Sequence, residues 1–381
     1  MRTKGGRKKV LMVLPKLDRG GAEMLLQYML ADGFSDEFDV SICTLCPSCD
    51  PASAQKFREL GVSVHYLDMK RTNFLRIMYM LYHLMLEIRP DILHTHLYPI
   101  MHSVLPAALA GIPVRIHTVH NVACRDGGFL SRMAVRIASG YFGFTLIGIS
   151  ETIASTIKQY HGVDNVPIIH NGIPVSDTRM LSRSCNRDAF GIHKDDFLCI
   201  SVASFSARKN HMMLIDAFRR ALSVRPELFL FLVGQGPLSR RIENLTKEFG
   251  ISDRVRFLGL RDDVTELLCM SDLFLLSSHW EGLPISALEA MSAGLPVVTT
   301  DVGGLRDLVE NGISGRLIDP QNVQSFADAI EEMAKDRERS RSMGEEGRKR
   351  VQRDFSISSA VREHEKLYRE LLGDVTGYSD E

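Results

Sequence analysis

Two carboxylates, a basic pair and four histidines are the side chains whose types and spacing are best suited to chemistry. Glu281 and Glu289 bracket the run EGLPISALE and stand eight residues apart. A helix over GLPISALEAMSAG would put Gly282 and Leu283 near its N-terminus, where unpaired N–H groups and the helix dipole favour phosphate. Pro284 and Ile285 continue the same stretch. Glu289 would follow about two turns along the same face. One carboxylate could take a ribose diol and the other sugar hydroxyls, because a carboxylate accepts paired hydrogen bonds in a geometry that a vicinal diol matches. The plain alternative is a surface Glu and a helix Glu with no role. Arg208 and Lys209 lie between strand-like FLCISVAS and the amphipathic HMMLIDAF. A cation there can neutralise a diphosphate, or be an ordinary solvated charge.

Glycines mark three further strand ends. Gly20 and Gly21 fall between KVLMVLP and the helical AEMLLQYML; Gly234 and Gly236 lie in LVGQGPL; Gly259 and Leu260 close RVRFLGL. Glycine lets backbone approach a ligand closely, and it also serves plain tight turns. His94 and His96 end DILHTH, and His117 and His120 end VRIHTVH. Four histidines at neighbouring strand ends read as cleft lining that can bond hydroxyls or phosphate. No carboxylate stands at metal-motif spacing, so no metal site is expected.

The elements that must position these residues are a repeated strand–helix series. KVLMVLP, FDVSICTL, VSVHYL, DILHTH, VRIHTVH, FTLIGIS and VPIIHNG are buried-strand candidates in the first half. FLCISVASF, LFLFLVG, VRFLG, LFLLSS, PVVTT and GRLID repeat the pattern in the second. Such alternation predicts an α/β chain with two Rossmann-like, doubly wound parallel sheets. The polar stretch from Val175 to Asp196 is the linker candidate. The expected domains are 1–185 and 186–355, with a C-terminal helix over 356–373.

Composition narrows the function class. The chain has 381 residues, 46 Lys and Arg against 47 Asp and Glu, so nucleic-acid binding is not expected. The first 186 residues hold 20 basic against 15 acidic residues, and basic residues recur from Lys70 to Arg136 around aromatic runs, against Glu87, Asp91 and Asp126. That pattern would suit contact with anionic membrane. Seven cysteines, an odd number, fit a reducing compartment; Cys43, Cys46 and Cys49 lack a fourth ligand and read as ordinary thiols. KVLMVLP is too short for a signal sequence and no run is long enough to span a bilayer, so the expected location is cytoplasmic, with peripheral attachment at the inner membrane face.

In this order, the motifs resemble glycosyltransferase family 4, the retaining enzymes of the two-Rossmann-domain GT-B fold. EGLPISALEA carries the E-x7-E signature, followed by GLPVVTTDVGG. GGAE at 20–23, HNGI at 170–173 and RKNHMMLIDAF at 208–218 match in sequence, so the resemblance covers almost the whole chain. It implies two domains facing a central cleft, with the C-terminal helix crossing back to the first. It also implies that a glycosyl group passes from a nucleoside diphosphate sugar, UDP being favoured, to a glycan or lipid-linked acceptor. That donor is a co-substrate; no cofactor or metal is implied. Glu281, Lys209 and His120 would act at the sugar and leaving group, and Glu289 would hold the ribose. Gly282 to Ile285 would meet sugar and phosphate, and Gly20 and Gly21 the diphosphate and acceptor. His96, Asn171, Ser204, Arg208, Gly234, Gly236 and Leu260 complete the expected binding set. One departure is Ser204, which stands where the family commonly has Arg; Arg208 is the candidate replacement. The competing expectations are a nucleotide-sugar epimerase, a phosphorylase, or a catalytically degenerate relative that only binds.

Overall fold

The computed structural model describes residues 6–18, 20–47, 51–68, 73–125, 128–175 and 187–373. The chain divides into two compact units, Met1–Pro174 with Ile357–Glu381, and Val175–Ser356. The division therefore falls earlier than the 185/186 boundary read from sequence. Backbone bonding shows why: Ile357 N–H donates to the Ile173 carbonyl at 2.9 Å, tying the outgoing chain to the returning one. The end of the linker candidate packs into the second unit, with Phe190 against Phe231 and Arg187 paired to Asp272 at 2.6 Å. Its residues 176–186 lie outside the described residues.

The first unit holds strands β1 (Lys8–Leu14), β2 (Phe38–Thr44), β3 (Ser63–Tyr66), β4 (Ile92–His96), β5 (Val114–Val119) and β6 (Phe144–Gly148). They form one parallel sheet in the order β3-β2-β1-β4-β5-β6. The seventh candidate, VPIIHNG, joins no sheet. It makes only an isolated bridge, Gly148 to Ile168, before the chain leaves the unit. The second unit holds β7 (Phe197–Val202), β8 (Leu228–Val233), β9 (Val255–Gly259), β10 (Leu273–Leu276), β11 (Val297–Thr300) and β12 (Gly315–Ile318), the six strands expected. Their order, β12-β11-β10-β7-β8-β9, is the same topology read from the other edge. Helices cover both faces of such a sheet, which is why LFLFLV of β8 is buried at every position instead of alternating.

In each sheet the strand order reverses once, between β1 and β4 and between β7 and β10. A doubly wound sheet opens a crevice at that reversal, beyond the carboxyl ends of the strands. GGAE follows β1 and the histidines end β4 and β5; the Arg208–Lys209 loop follows β7 and the Glu281 loop follows β10. Ahead of the last helix stand two others, Val323–Lys335 and Arg337–Asp354. They break at Asp336, whose carboxylate accepts from the Arg339 N–H at 3.0 Å as an N-cap. One helical boundary differs from expectation. The motif helix is Ile285–Ser292, with Pro284 as N-cap, so Glu281, Gly282 and Leu283 precede it.

The last helix, Ile357–Leu371, packs beside Gly21–Ala31 of the first unit. Its Tyr368 is fully buried, edge-on to Phe34 and Phe38 at 5.7 and 5.3 Å, and its hydroxyl meets His94 Nδ1 at 2.5 Å. Tyr368→Ala should lower the stability of the first unit's unfolding transition in urea by about 3–5 kcal/mol, the range for a buried aromatic truncation. Tyr368→Phe, which keeps the ring and leaves His94 short of a partner, should lower it by about 1–3 kcal/mol.

Candidate active site

Glu281 is buried after β10, and its Oε1 accepts from Lys209 Nζ at 2.5 Å and from the Ser278 hydroxyl at 2.5 Å. Arg208 brings a guanidinium nitrogen to 3.8 Å from Oε2. Burial alone pushes the Glu281 carboxyl up. Lys209, Arg208 and the two hydrogen bonds more than offset this and hold it below the ordinary carboxylate value. Burial draws the Lys209 ammonium down, and the carboxylate draws it back. An ion pair in so dry a place lasts because each partner removes the other's desolvation penalty.

Backbone and hydroxyl bonds fix the two loops to each other. Ser277 donates to the carbonyls of Lys209 and Asn210 at 3.1 and 3.0 Å, and His279 N–H donates to the Arg208 carbonyl at 2.8 Å. Thr300, at the end of β11, donates to the Ser278 carbonyl at 2.6 Å. Gly303 has φ +51°, and a Cβ there would collide with the Glu281 carbonyl oxygen. Ser277, Ser278, Thr300 and Gly303 therefore support the site, and none was singled out from sequence. The signal was present in SSHWEG and TTDVGG, but only folding shows which hydroxyl reaches which partner.

Gly234 and Gly236 have a structural explanation. Cβ atoms there would strike the backbone of Ala203 and Phe205, because the loops after β7 and β8 clasp through Phe205 N–H to the Gln235 carbonyl and Leu238 N–H to the Phe205 carbonyl, both 3.0 Å. Ser204 is exposed on this clasp, and Leu260 is exposed beyond β9. Gly282 and Leu283 to Ile285 are buried just ahead of and at the helix start. Glu289 is half-buried within that helix. The donors at the helix start are hence those of Ile285 and Ser286, since the Ala287 and Leu288 N–H groups bond back to the Pro284 carbonyl.

The first unit brings the four histidines at the ends of its fourth and fifth strands together, three of them buried and His120 half-buried. His96 Nδ1 meets His120 Nε2 at 2.9 Å, and His94 stacks on His96 at 4.3 Å. The second ring nitrogen of His94 meets the Thr118 hydroxyl at 2.7 Å. His117 Nδ1 lies 3.1 Å from the Thr95 carbonyl, so that nitrogen carries the proton and donates. Burial, reinforced by neighbouring histidines, holds His94 and His96 well below the usual value; it lowers His117 to about 3 and His120 and His364 to about 4. Gly20 is the N-cap of Gly21–Ala31, and a side chain on it would collide with Glu23. Glu23 was quoted in GGAE without a role. It is buried at the third helical position, and burial raises its carboxyl to about 7 although its own N–H lowers it. Asn171 is buried in the segment leading to the Ile173–Ile357 tie. Among the described residues no group of three or more His, Cys, Asp or Glu could hold a metal ion. Of the three spaced cysteines, Cys43 is buried with its thiol pushed up to about 12, and Cys49 lies outside the described residues.

Two outcomes follow from this electrostatics. Lys209→Met leaves Glu281 buried beside a single distant guanidinium and should destabilise the second unit by about 3–5 kcal/mol in urea; adding Glu281→Gln should recover much of that loss. In the first unit the folded-state histidine values lie below the unfolded value of about 6.5, so the unfolded chain binds more protons. That stability is fully present above pH 6.5 and is lost as pH falls through about 4 to about 3. Urea midpoints of the first unit's transition at pH 7 and pH 5 measure it, and an unchanged midpoint would show that the cluster is already protonated or open.

Family models agree with both units. Residues 19–177 match Glycosyltransferase Family 4, and residues 182–350 match Glycosyl transferases group 1. N-acetyl-alpha-D-glucosaminyl L-malate synthase of Bacillus anthracis is 36% identical over 185 residues, a match spanning 49% of this chain and about half (48%) of that protein. The UDP-Gal:alpha-D-GlcNAc-diphosphoundecaprenol alpha-1,3-galactosyltransferase of Escherichia coli is 25% identical over 89% of this chain and 90% of its own length. Among solved structures, HepE of Anabaena in complex with UDP and glucose superposes with a TM-score of 0.84 at 20% identity, covering 96% of this chain and all of that one. Sucrose-phosphate synthase of Thermosynechococcus elongatus superposes at 0.78 and 19% identity, covering 97% and 100%. With the E-x7-E loop, its buried lysine and two sheets of one topology in place, the chain belongs to the family 4 glycosyltransferases of the two-Rossmann-domain GT-B fold.

Proposed function

We propose that this transferase is retaining, uses a UDP-sugar, and moves a hexose or N-acetylhexosamine to a hydroxyl of a surface glycan or lipid-linked saccharide. The buried Lys209–Glu281 pair at the β7/β10 crevice carries the proposal. It sits directly ahead of the helix start at Ile285, so cations, a carboxylate and unbonded N–H groups share one small region. Glu281 Oε1 is saturated by Lys209 and Ser278. This leaves Oε2, with Arg208 at 3.8 Å, to accept from a sugar hydroxyl. Arg208 supplies the charge that Ser204 does not, and Glu289 takes the ribose. Support for UDP comes from the galactosyltransferase relative, whose donor is UDP-Gal, and from the HepE complexes with UDP. The same relative acts on a diphosphoundecaprenol-linked sugar, which supports a lipid-linked acceptor. The acceptor belongs in this account to the β1/β4 crevice of the first unit, with Gly20, Gly21, His96 and His120.

In the reaction the bond from the anomeric carbon to the β-phosphate oxygen breaks, and the acceptor oxygen bonds to that carbon on the same face. The acceptor proton passes to the leaving phosphate oxygen. Charge grows on the diphosphate as the bond opens, so Lys209, Arg208 and the Ile285 and Ser286 N–H groups, already fixed, favour the transition state over the bound donor. These groups do the work that a divalent ion does in other transferases.

A thermal-shift comparison of UDP, GDP, ADP and dTDP tests the donor site. UDP at about 100 times its dissociation constant should stabilise by about 2.7 kcal/mol and raise the melting midpoint of the second unit by about 5–11 °C. Glu289→Ala should abolish the shift. Glu281→Ala should retain the shift and lower UDP release from UDP-sugar by about 100-fold or more. No shift with any nucleotide would favour a degenerate relative, and a shift with GDP alone would correct the donor.

A further inference from the structure

Eleven of the seventeen exposed large apolar side chains among the described residues lie on three helices of the first unit, Phe74–Ile88, Ile100–Leu109 and Phe129–Tyr141. Leu75, Tyr79, Leu109, Phe129, Leu130 and Tyr141 are the most open, at 60–85% exposure. The clustering follows from topology. Right-handed crossovers put the helices between β4, β5 and β6 on one face of the sheet, and the β3-to-β4 crossover helix joins them. The three pack side by side, with Phe74 against His102 at 4.6 Å. The return helix Ile357–Leu371 packs beside Gly21–Ala31 of the opposite layer and leaves this one as an outer surface of the unit.

The charge on this face is mostly basic, with Glu87 its one acidic residue. Ile100–Leu109 carries no charged residue, and Phe129–Tyr141 carries Arg132 and Arg136 with no acidic residue; Phe74–Ile88 carries Arg76 and Glu87, and Arg89 follows. Arg76, Arg89 and Arg136 are exposed. Phe74, Leu75, Phe129 and Leu130 begin helices that follow β3 and β5, so they lie on the carboxyl-end side of the sheet, where His96 and His120 sit. Contiguous apolar surface on this scale is uncommon on a protein that stays in water, and aromatic and aliphatic side chains interleaved with arginine match an anionic lipid interface.

We infer that this three-helix face seats the protein on an anionic lipid bilayer, with Phe129, Leu130 and Leu75 entering the headgroup layer and Arg76 and Arg136 facing the lipid phosphates. A second copy of the chain would have to bring acidic residues to meet these arginines, and this face offers itself only Glu87. The link to acceptor delivery rests on the transferase proposal, whereas lipid binding itself does not.

The test is co-sedimentation of the full chain with vesicles of phosphatidylcholine alone or mixed with phosphatidylglycerol, at low and high salt. Wild type should sediment with the mixed vesicles, more weakly in high salt, and stay with the supernatant for phosphatidylcholine. Arg76→Glu with Arg136→Glu should weaken binding by more than about tenfold, since each basic residue near the surface contributes about fivefold. Phe129→Ser with Leu130→Ser should also lose binding. Wild type left in the supernatant at low salt overturns the inference. So does undiminished binding by both variants, or a wild-type dimer in light scattering that the serine variant returns to monomer. UDP thermal shifts on the same samples separate the two proposals: a retained shift without vesicle binding overturns only the membrane face, and vesicle binding without any shift overturns only the donor site.

Discussion

A carboxylate buried this deeply has to be neutralised where it sits, and the second unit is arranged around that requirement for Glu281. Lys209 comes from the loop after β7 and Ser278 from the loop after β10, the two strands on either side of the reversal in strand order. Holding their groups on one oxygen requires the loops to be bonded to each other, which the Ser277 hydroxyl and the His279 N–H accomplish. Gly303 lets a third loop close over the Glu281 carbonyl. The result is a rigid set of charges beside a helix start, the kind of fixed polarity that favours a departing anion without reorganising during the reaction.

The first unit solves the opposite problem. It buries imidazoles in place of an ion pair, and burial, reinforced by neighbouring histidines, keeps them neutral. Tyr368 is a hydrogen-bond partner of His94 and comes from the far end of the chain, so the unit is complete only once the last helix has docked. Arg369, bonded to Glu37 at 2.7 Å through Nε, ties the same helix to the unit's surface. Stability and site geometry are thus coupled through one helix that sequence order places with the other unit.

Much of this was legible in the residues. The six strands of the second unit and the reversal-point loops follow from short apolar runs punctuated by glycine and charge, whereas the pairing of Lys209 with Glu281 does not. VPIIHNG shows the limit: an apolar run near a chain crossing looks like a strand, and only the sheet's own edge decides whether it pairs. The glycines of LVGQGPL show another. They look like ligand glycines, yet they are required by a carbonyl and an amide of the neighbouring loop, a contact across about thirty residues of sequence.

Sequence by itself determined the repeated strand–helix period, hence two parallel sheets, and the E-x7-E signature that marks the family, because periodicity and local spacing are properties of neighbouring residues. Tertiary structure decided that Glu281 stands ahead of its helix, that Arg208 turns toward it while Ser204 faces water, and that four histidines share one proton-poor cluster with Tyr368. Those outcomes depend on which side chains meet across long stretches of chain, and on how much water is left between them. Burial sets the charge state of each group, and burial exists only once the sheets have closed.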